Sequence, residues 1–191
     1  MIAVRDLDAA ASDFGRLGFT LTPRGHHSIG SQNHCIMFGA TYLELLVAPI
    51  PHPWLDYYRA FGEGLAAIAL STDDAAATYA QLKDKGARAP TDLSRPVEGG
   101  VARFRLVQIE SAPQLFFVQH LTRQFVWRPE WQKHANGARE LVHVSLSAKK
   151  PFDGLPGSID WDARGELQIE GLQKNLASAG VALSQPRRRS K

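Results

Sequence analysis

The chain has a single cysteine, Cys35, among its 191 residues, so it cannot form an intrachain disulfide. It has no apolar run close to the roughly 20 residues that a membrane-spanning helix needs, and its first residues do not form a signal-peptide pattern. A phosphate-cradling glycine loop, a dinucleotide-binding glycine motif and a Ser/His/Asp order are also missing. These absences exclude a disulfide-stapled fold, and we expect a cytoplasmic protein that does not bind membranes.

An excess of basic residues is confined to one end of the chain. The formal net charge is +3, with 22 basic and 19 acidic residues. Arg187, Arg188, Arg189 and Lys191 supply four of the basic residues, and without them 18 remain against 19 acidic ones. We therefore predict a disordered basic tail on a nearly neutral body, and no nucleic-acid partner.

The sequence contains an internal repeat. Residues 2–11 (IAVRDLDAAA) and 68–77 (IALSTDDAAA) are identical at six of ten positions. Each copy reads as a strand that runs into an amphipathic helix, with Asp6 as the first N-cap, and strands follow each helix. The pattern predicts an α+β fold built from two tandem βαβββ modules.

Prolines and glycines set the predicted boundaries. The first module covers residues 1–48, a Pro-rich linker covers 49–63, and the second module covers 64–121. We expect residues 122–191 to hold a partial further module, with a strand at 140–146 and a helix at 172–179, and the basic tail. The opening strand of the first module is very short, and we expect that residues upstream of Met1 belong to it.

The segment 33–46 (NHCIMFGATYLELL) has the pattern of an antiparallel hairpin hinged at Gly39. A two-residue loop pairs His34 with Leu45 and puts His34 and Glu44 on opposite faces of the hairpin. A three-residue loop with a bulge puts both on the same face. The sequence is compatible with either register.

Several motifs resemble those of the vicinal oxygen chelate superfamily and, more closely, of its glyoxalase-like domain family. They are NH at 33–34, TYLELL at 41–46, FVQHL at 117–121 and VWRPEW at 126–131. The resemblance implies that the paired modules form a cupped, half-open barrel of mixed β-sheet. It also implies a divalent metal (Zn, Ni, Fe or Mn), bound by a histidine on the first strand and a glutamate on the last strand of each unit, and a homodimer.

The resemblance supplies the candidate metal ligands. Glu44 falls on the glutamate position, where it would also act as the catalytic base, and His143 falls on a first-strand histidine position. In the second module the corresponding positions hold Leu65 and Phe116, which cannot bind a metal. We predict that the substrate is bound by the following side chains: His34, His120, Trp127, Arg128 and Trp131.

Two functions follow from these residues. The first is a metal-dependent lyase or isomerase that polarises the vicinal oxygens of a small molecule. The alternative is a metal-free binding protein of the drug-resistance type that holds an aromatic compound with Trp127, Trp131, Phe117 and Arg128. Whether the chain is an enzyme stays open at this stage.

Overall fold

The computed structural model describes residues 1–161 and 163–186. Two sheets share one topology, with a helix between the first and second strands of each. The first module consists of β1 (Ile2–Ala3), α1 (Leu7–Arg16), β2 (Gly25–His26), β3 (Gln32–Met37) and β4 (Tyr42–Val47). The second consists of β6 (Ile68–Ser71), α3 (Ala75–Leu82), β7 (Thr91–Val97), β8 (Gly100–Gln108) and β9 (Leu115–His120).

The two modules pair their strands in the same order. The first sheet has the strand order β2-β3-β4-β1, and the second has the order β7-β8-β9-β6. The first strand of each module is parallel to the last strand of the same module, so β1 is parallel to β4 and β6 is parallel to β9. A short strand, β5 (Gly64–Leu65), extends the first sheet on the free side of β1. The predicted α+β class with tandem βαβββ modules is confirmed.

Both module helices begin at aspartate caps. The Asp6 carboxylate accepts hydrogen bonds from the amides of Asp8 and Ala9, each at 3.0 Å. Asp74 does the same for α3. These caps satisfy donors that the first turn of a helix leaves free. In α1, Leu7, Ala10 and Phe14 are buried, so this face packs the helix onto its sheet.

A third helix lies in the segment predicted to be a linker. α2 (Asp56–Phe61) begins three residues after the last of the prolines at 49, 51 and 53, and it buries Tyr58. Within the residues that the structure describes, no helix is long and apolar enough to cross a membrane.

After two short 3-10 helices, Arg123–Phe125 and Pro129–Trp131, the C-terminal part forms a separate five-stranded sheet. Its strands are β10 (Glu140–Leu146), β11 (Ile159–Trp161), β12 (Glu166–Glu170), β13 (Leu176–Ser178) and β14 (Val181–Ser184), in the order β11-β10-β12-β14-β13. Side chains of this sheet, such as Leu146 and Leu167, share one core with α1 and the first sheet. The predicted basic tail at 187–191 lies outside the described residues.

The predicted helix at 172–179 is wrong. Ser178 pairs with Val181, which leaves Ala179 and Gly180 as a two-residue loop with φ of 47° and 71°. Positive φ at both loop positions is the geometry of a tight hairpin turn. This turn pairs β13 with β14, and strand pairing overrides the helical spacing of the apolar residues.

The hairpin of β3 and β4 has the two-residue loop. Cys35 pairs with Glu44 and His34 with Leu45, and the Phe38 amide donates to the carbonyl of Thr41 at 2.9 Å. Because side chains alternate between faces, Glu44 and His34 lie on opposite sides of the sheet.

Candidate functional site

Side chains of the two module sheets and of the segment around α2 line a cavity, which we call the cup cavity. It contains about 680 Å³ of space free of protein atoms, part of it open to solvent. Aromatic side chains supply much of its wall: Tyr42, Trp54, Tyr58, Phe104 and Phe116. Its polar lining comes from a small group of side chains: His27, Ser31, Asn33, Glu44, Arg95, Gln108 and His120.

Glu44 projects from β4 into this cavity. Its Oε1 accepts a hydrogen bond from Nδ2 of Asn33 at 2.7 Å. Asn33 is buried, and its own Oδ1 has no hydrogen-bond partner. The pair therefore places a carboxylate in the wall of the cavity beside a buried amide oxygen that has no hydrogen-bond partner.

Arg95 enters the same cavity from β7. It is 4% exposed, and its Nε has no hydrogen-bond partner. Gly25 makes room for it, because a Cβ at that residue would lie 2.5 Å from Arg95 Nη1 and 2.3 Å from Asn33 Oδ1. Within the part of the chain that the structure describes, the lining of the cup cavity thus includes one carboxylate and one guanidinium, together with other polar side chains and several aromatic rings.

His120, at the end of β9, lies within an aromatic cluster. Its ring centroid is 5.8 Å from that of Tyr42, 5.2 Å from Phe104 and 4.9 Å from Trp127, each in an edge-to-face arrangement. The Arg123 guanidinium covers the Trp127 ring at 3.6 Å. The His120 Nδ1 is buried without a partner, as is the Trp127 indole nitrogen.

A second cavity adjoins the first, between the module sheets and the C-terminal sheet. It contains about 1070 Å³ of atom-free space, part of it open. Glu44, Tyr42 and His120 line both cavities, and His143 lines only the second. His143 Nε2 is 2.9 Å from the Asp160 carboxylate, so a local partner already engages this ring.

The comparisons with known proteins bear on this arrangement. The model of a glyoxalase-like domain matches residues 1–183. The chain belongs to the glyoxalase-like domain family. Its fold is similar to that of a hypothetical protein from Staphylococcus aureus, with a TM-score of 0.63 at 13% identity, over 95% of this chain and 96% of that one. None of the curated proteins matches it.

The donors of this glyoxalase-like chain do not fit a bound metal. Among residues 1–161 and 163–186, no three His, Cys, Asp or Glu side chains are grouped so that they could hold an ion. Glu44 is engaged by Asn33, and His143 by Asp160. A catalytic zinc site needs about three protein ligands. The two predicted ligands, Glu44 and His143, are therefore too few for such a site.

Strand register also revises one position inferred from the family resemblance. Ile2 of β1 pairs with Leu45, and its repeat counterpart Ile68 pairs with Leu115. Gln114, rather than Phe116, therefore corresponds to Glu44 in the second module. Phe116 corresponds to Leu46, and both side chains line the cup cavity.

The predicted ligand-binding residues are distributed over several places. His120 lines both cavities, and Trp127 lines the second. His34 lies on the opposite face of the hairpin, where its Nδ1 is 2.7 Å from the Thr22 carbonyl oxygen. Trp131 packs beneath Arg128, whose guanidinium is 5.1 Å from the ring centroid and bonds to the Glu98 carbonyl.

Phe117, named in the metal-free alternative, also faces away from the cup. It packs with Ile109 and Leu115, whereas its neighbour Phe116 lines the cavity. The period of two along β9 explains the difference, since adjacent residues lie on opposite faces.

Sequence reasoning missed several residues of the cup. His27 follows the short strand β2, in a segment flanked by Gly25 and Gly30. Its ring is buried, with Nδ1 2.9 Å from the Ser31 hydroxyl. Asn33 enters the sequence analysis only as part of the NH motif, and Arg95 belongs to none of the motifs quoted there.

The state of His120 leads to a prediction about pH. Burial, and then the positive charges of Arg123 and Arg95, lower the pKa of this imidazole from 6.5 to about 4. At a pH between these two pKa values, His120 is protonated in the unfolded chain but not in the folded chain. Acidification therefore favours unfolding. We expect the titration of His120 alone to lower the free energy of unfolding by about 1 kcal/mol when the pH falls from 7 to 5.5.

Urea denaturation of the wild type and of His120→Phe at both pH values measures this effect. The variant should lose less stability on acidification, by about 1 kcal/mol. His26 is exposed, so His26→Phe should keep the wild-type pH dependence. Burial also lowers the pKa of His27 and His134, so some acid sensitivity remains in the variant. An unchanged pH dependence in His120→Phe would mean that this ring titrates normally.

Proposed function

We propose that this glyoxalase-like protein binds a small aromatic molecule in the cup cavity and does so without a metal ion. The observation that carries the proposal is the lining of the cavity, in which aromatic rings surround a few converging polar groups. Small-molecule sites have this composition, with apolar and aromatic walls and a few precisely placed polar groups.

The arrangement of the rings supports an aromatic ligand. Phe104 meets His120 edge to face, and Tyr42 meets both His120 and Trp127 in the same way. Such geometry leaves ring faces and edges available for an incoming ring, and aromatic pairs add about 0.5–1.5 kcal/mol beyond the area that they bury.

The donor set supports binding without a metal. Glu44 is the one carboxylate that lines the cup cavity among the described residues. The imidazoles of His27 and His120 stand in the same wall, but they do not form a metal-binding group with it. Polar groups of the cup are thus arranged to bind the ligand directly, and Glu44 remains a predicted proton acceptor for a bound ligand.

The test uses 2-naphthol, a neutral aromatic probe, and isothermal titration calorimetry on the full chain. We expect binding that is unchanged after treatment with a chelator. Leu106 is buried on β8 and lines the cavity, so Leu106→Trp should fill part of it and weaken binding at least tenfold.

Val101→Trp is the matched control, because Val101 lies on the same strand and is 37% exposed. It should bind 2-naphthol as the wild type does. Equal binding by all three proteins would place the probe elsewhere, and loss of binding with the chelator would overturn the metal-free proposal. Circular dichroism of each variant checks that it folds.

A further inference from the structure

Arg95 is an unusual charged residue, because it is buried without an ion-pair partner among the described residues. It is 4% exposed, its Nε has no hydrogen-bond partner, and no carboxylate in the described residues forms an ion pair with it. The arginines that do form ion pairs are far more accessible. The side chains of Arg88 and Arg105, for example, are 53% and 43% exposed and pair with Glu110 and Asp92.

The guanidinium of Arg95 is held at the wall of the cup cavity. Its Nη1 lies beside Gly25 and the side chain of Asn33. Its positive charge acts on four titratable groups that also line the cavity: His27, Cys35, Tyr42 and His120. The cation is therefore directed toward the ligand space and away from bulk water.

An unpaired buried cation is costly. Transfer of an ionised side chain out of water is unfavourable unless an opposite charge or several hydrogen bonds compensate for it. Glu44 shares the cavity, but its Oε1 is bound to Asn33 and it forms no ion pair with Arg95 within 4.0 Å among the described residues. An anionic ligand in the cavity would supply the compensation that the described residues do not provide.

The shape of the guanidinium indicates which anion fits. Its planar fork of N–H donors matches the two oxygens of a carboxylate, which it binds through two parallel hydrogen bonds. A dianionic phosphate is a poorer match here. The Glu44 carboxylate lies in the same low-dielectric cavity, and it repels a ligand with two negative charges more strongly than a ligand with one.

Resting on the proposed function, we infer that the ligand of the cup is an aromatic monocarboxylate, with its carboxylate on Arg95 and its ring among Phe104, Phe116 and their aromatic neighbours. Asn33 is a positioning residue in this arrangement, since it holds Glu44 on one side and lies against Arg95 on the other. The cup thus selects both a ring and a single negative charge.

The test compares three probes that share one ring system: 2-naphthoate, its neutral counterpart 2-naphthamide, and 2-naphthyl phosphate. Calorimetry at pH 7 on the wild-type chain should show 2-naphthoate bound at least tenfold more tightly than the other two. Arg95→Met should bind 2-naphthoate and 2-naphthamide about equally. Arg105→Met, which removes an exposed arginine on the neighbouring strand, should behave as the wild type.

The outcomes separate this inference from the proposed function. Equal affinity of the wild type for 2-naphthoate and 2-naphthamide would overturn the inference and leave an aromatic-binding cup. Tighter binding of 2-naphthyl phosphate would overturn the choice of a monoanion. Absence of binding by all three probes and by 2-naphthol would overturn the proposed function itself. Retained discrimination in Arg95→Met would exclude this arginine as the anion site.

Discussion

Arg95→Met is expected to make the protein more stable, by about 1–3 kcal/mol in the free energy of unfolding. The substitution removes a buried charge that has no ion-pair partner among the described residues and keeps an unbranched apolar stem of similar reach. Replacement of buried ionic groups by apolar residues of similar volume is often stabilising. The substitution of Arg95 breaks no ion pair among the described residues, so no favourable charge interaction offsets the gain.

Urea denaturation at pH 7 without ligand measures the change. Arg105→Met is the matched control on the next strand, where the arginine is exposed and paired with Asp92, and we expect no measurable change in the free energy of unfolding. A loss of stability in Arg95→Met would show that Arg95 has a structural role. A gain, combined with loss of 2-naphthoate binding, would mean that the chain keeps an unfavourable residue for the sake of its ligand.

The modules could be predicted from the sequence because their signals are local. The repeat at 2–11 and 68–77, the cap at Asp6 and the apolar face of α1 each depend on residues a few positions apart. Every one of these features appears in the structure. Helix caps and helical faces form between near neighbours, so long-range contacts have little chance to override them.

Contacts between distant residues explain what could not be predicted. Arg95 and Asn33 meet at Gly25, although 62 positions separate the first two in the chain. The spacing of residues 172–179 favoured a helix, but the turn at Ala179 and Gly180 pairs that segment with β14. A pattern of spacing carries no information about which strand lies alongside.

The loop of the β3–β4 hairpin is a further example of such a long-range effect. Its sequence is compatible with two registers, which differ in whether His34 shares a face with Glu44. In the structure a carboxylate about 100 positions away binds the loop. Glu140, the first residue of β10, accepts hydrogen bonds from the amides of Ala40 at 2.7 Å and Thr41 at 3.1 Å, and from the Thr41 hydroxyl.

Glu140→Ala should therefore lower the free energy of unfolding by about 3 kcal/mol. Hydrogen bonds to a charged group contribute about 1.5–3 kcal/mol each, and three that share one half-buried carboxylate contribute less than their sum. Glu140→Gln retains an acceptor oxygen without the charge and should show an intermediate loss. Urea denaturation gives both values, and hydrogen exchange should show faster exchange at the amides of Ala40 and Thr41.

Glu170→Ala is the matched control for this experiment. Glu170 is the cross-strand neighbour of Glu140 in the same sheet, but it is exposed and pairs with exposed Arg139. An exposed pair of this kind contributes about 0–1 kcal/mol. If Glu140→Ala cost no more than Glu170→Ala, the loop would be held by its own backbone geometry. A large difference would show that the C-terminal sheet fixes the register that turns Glu44 into the cup.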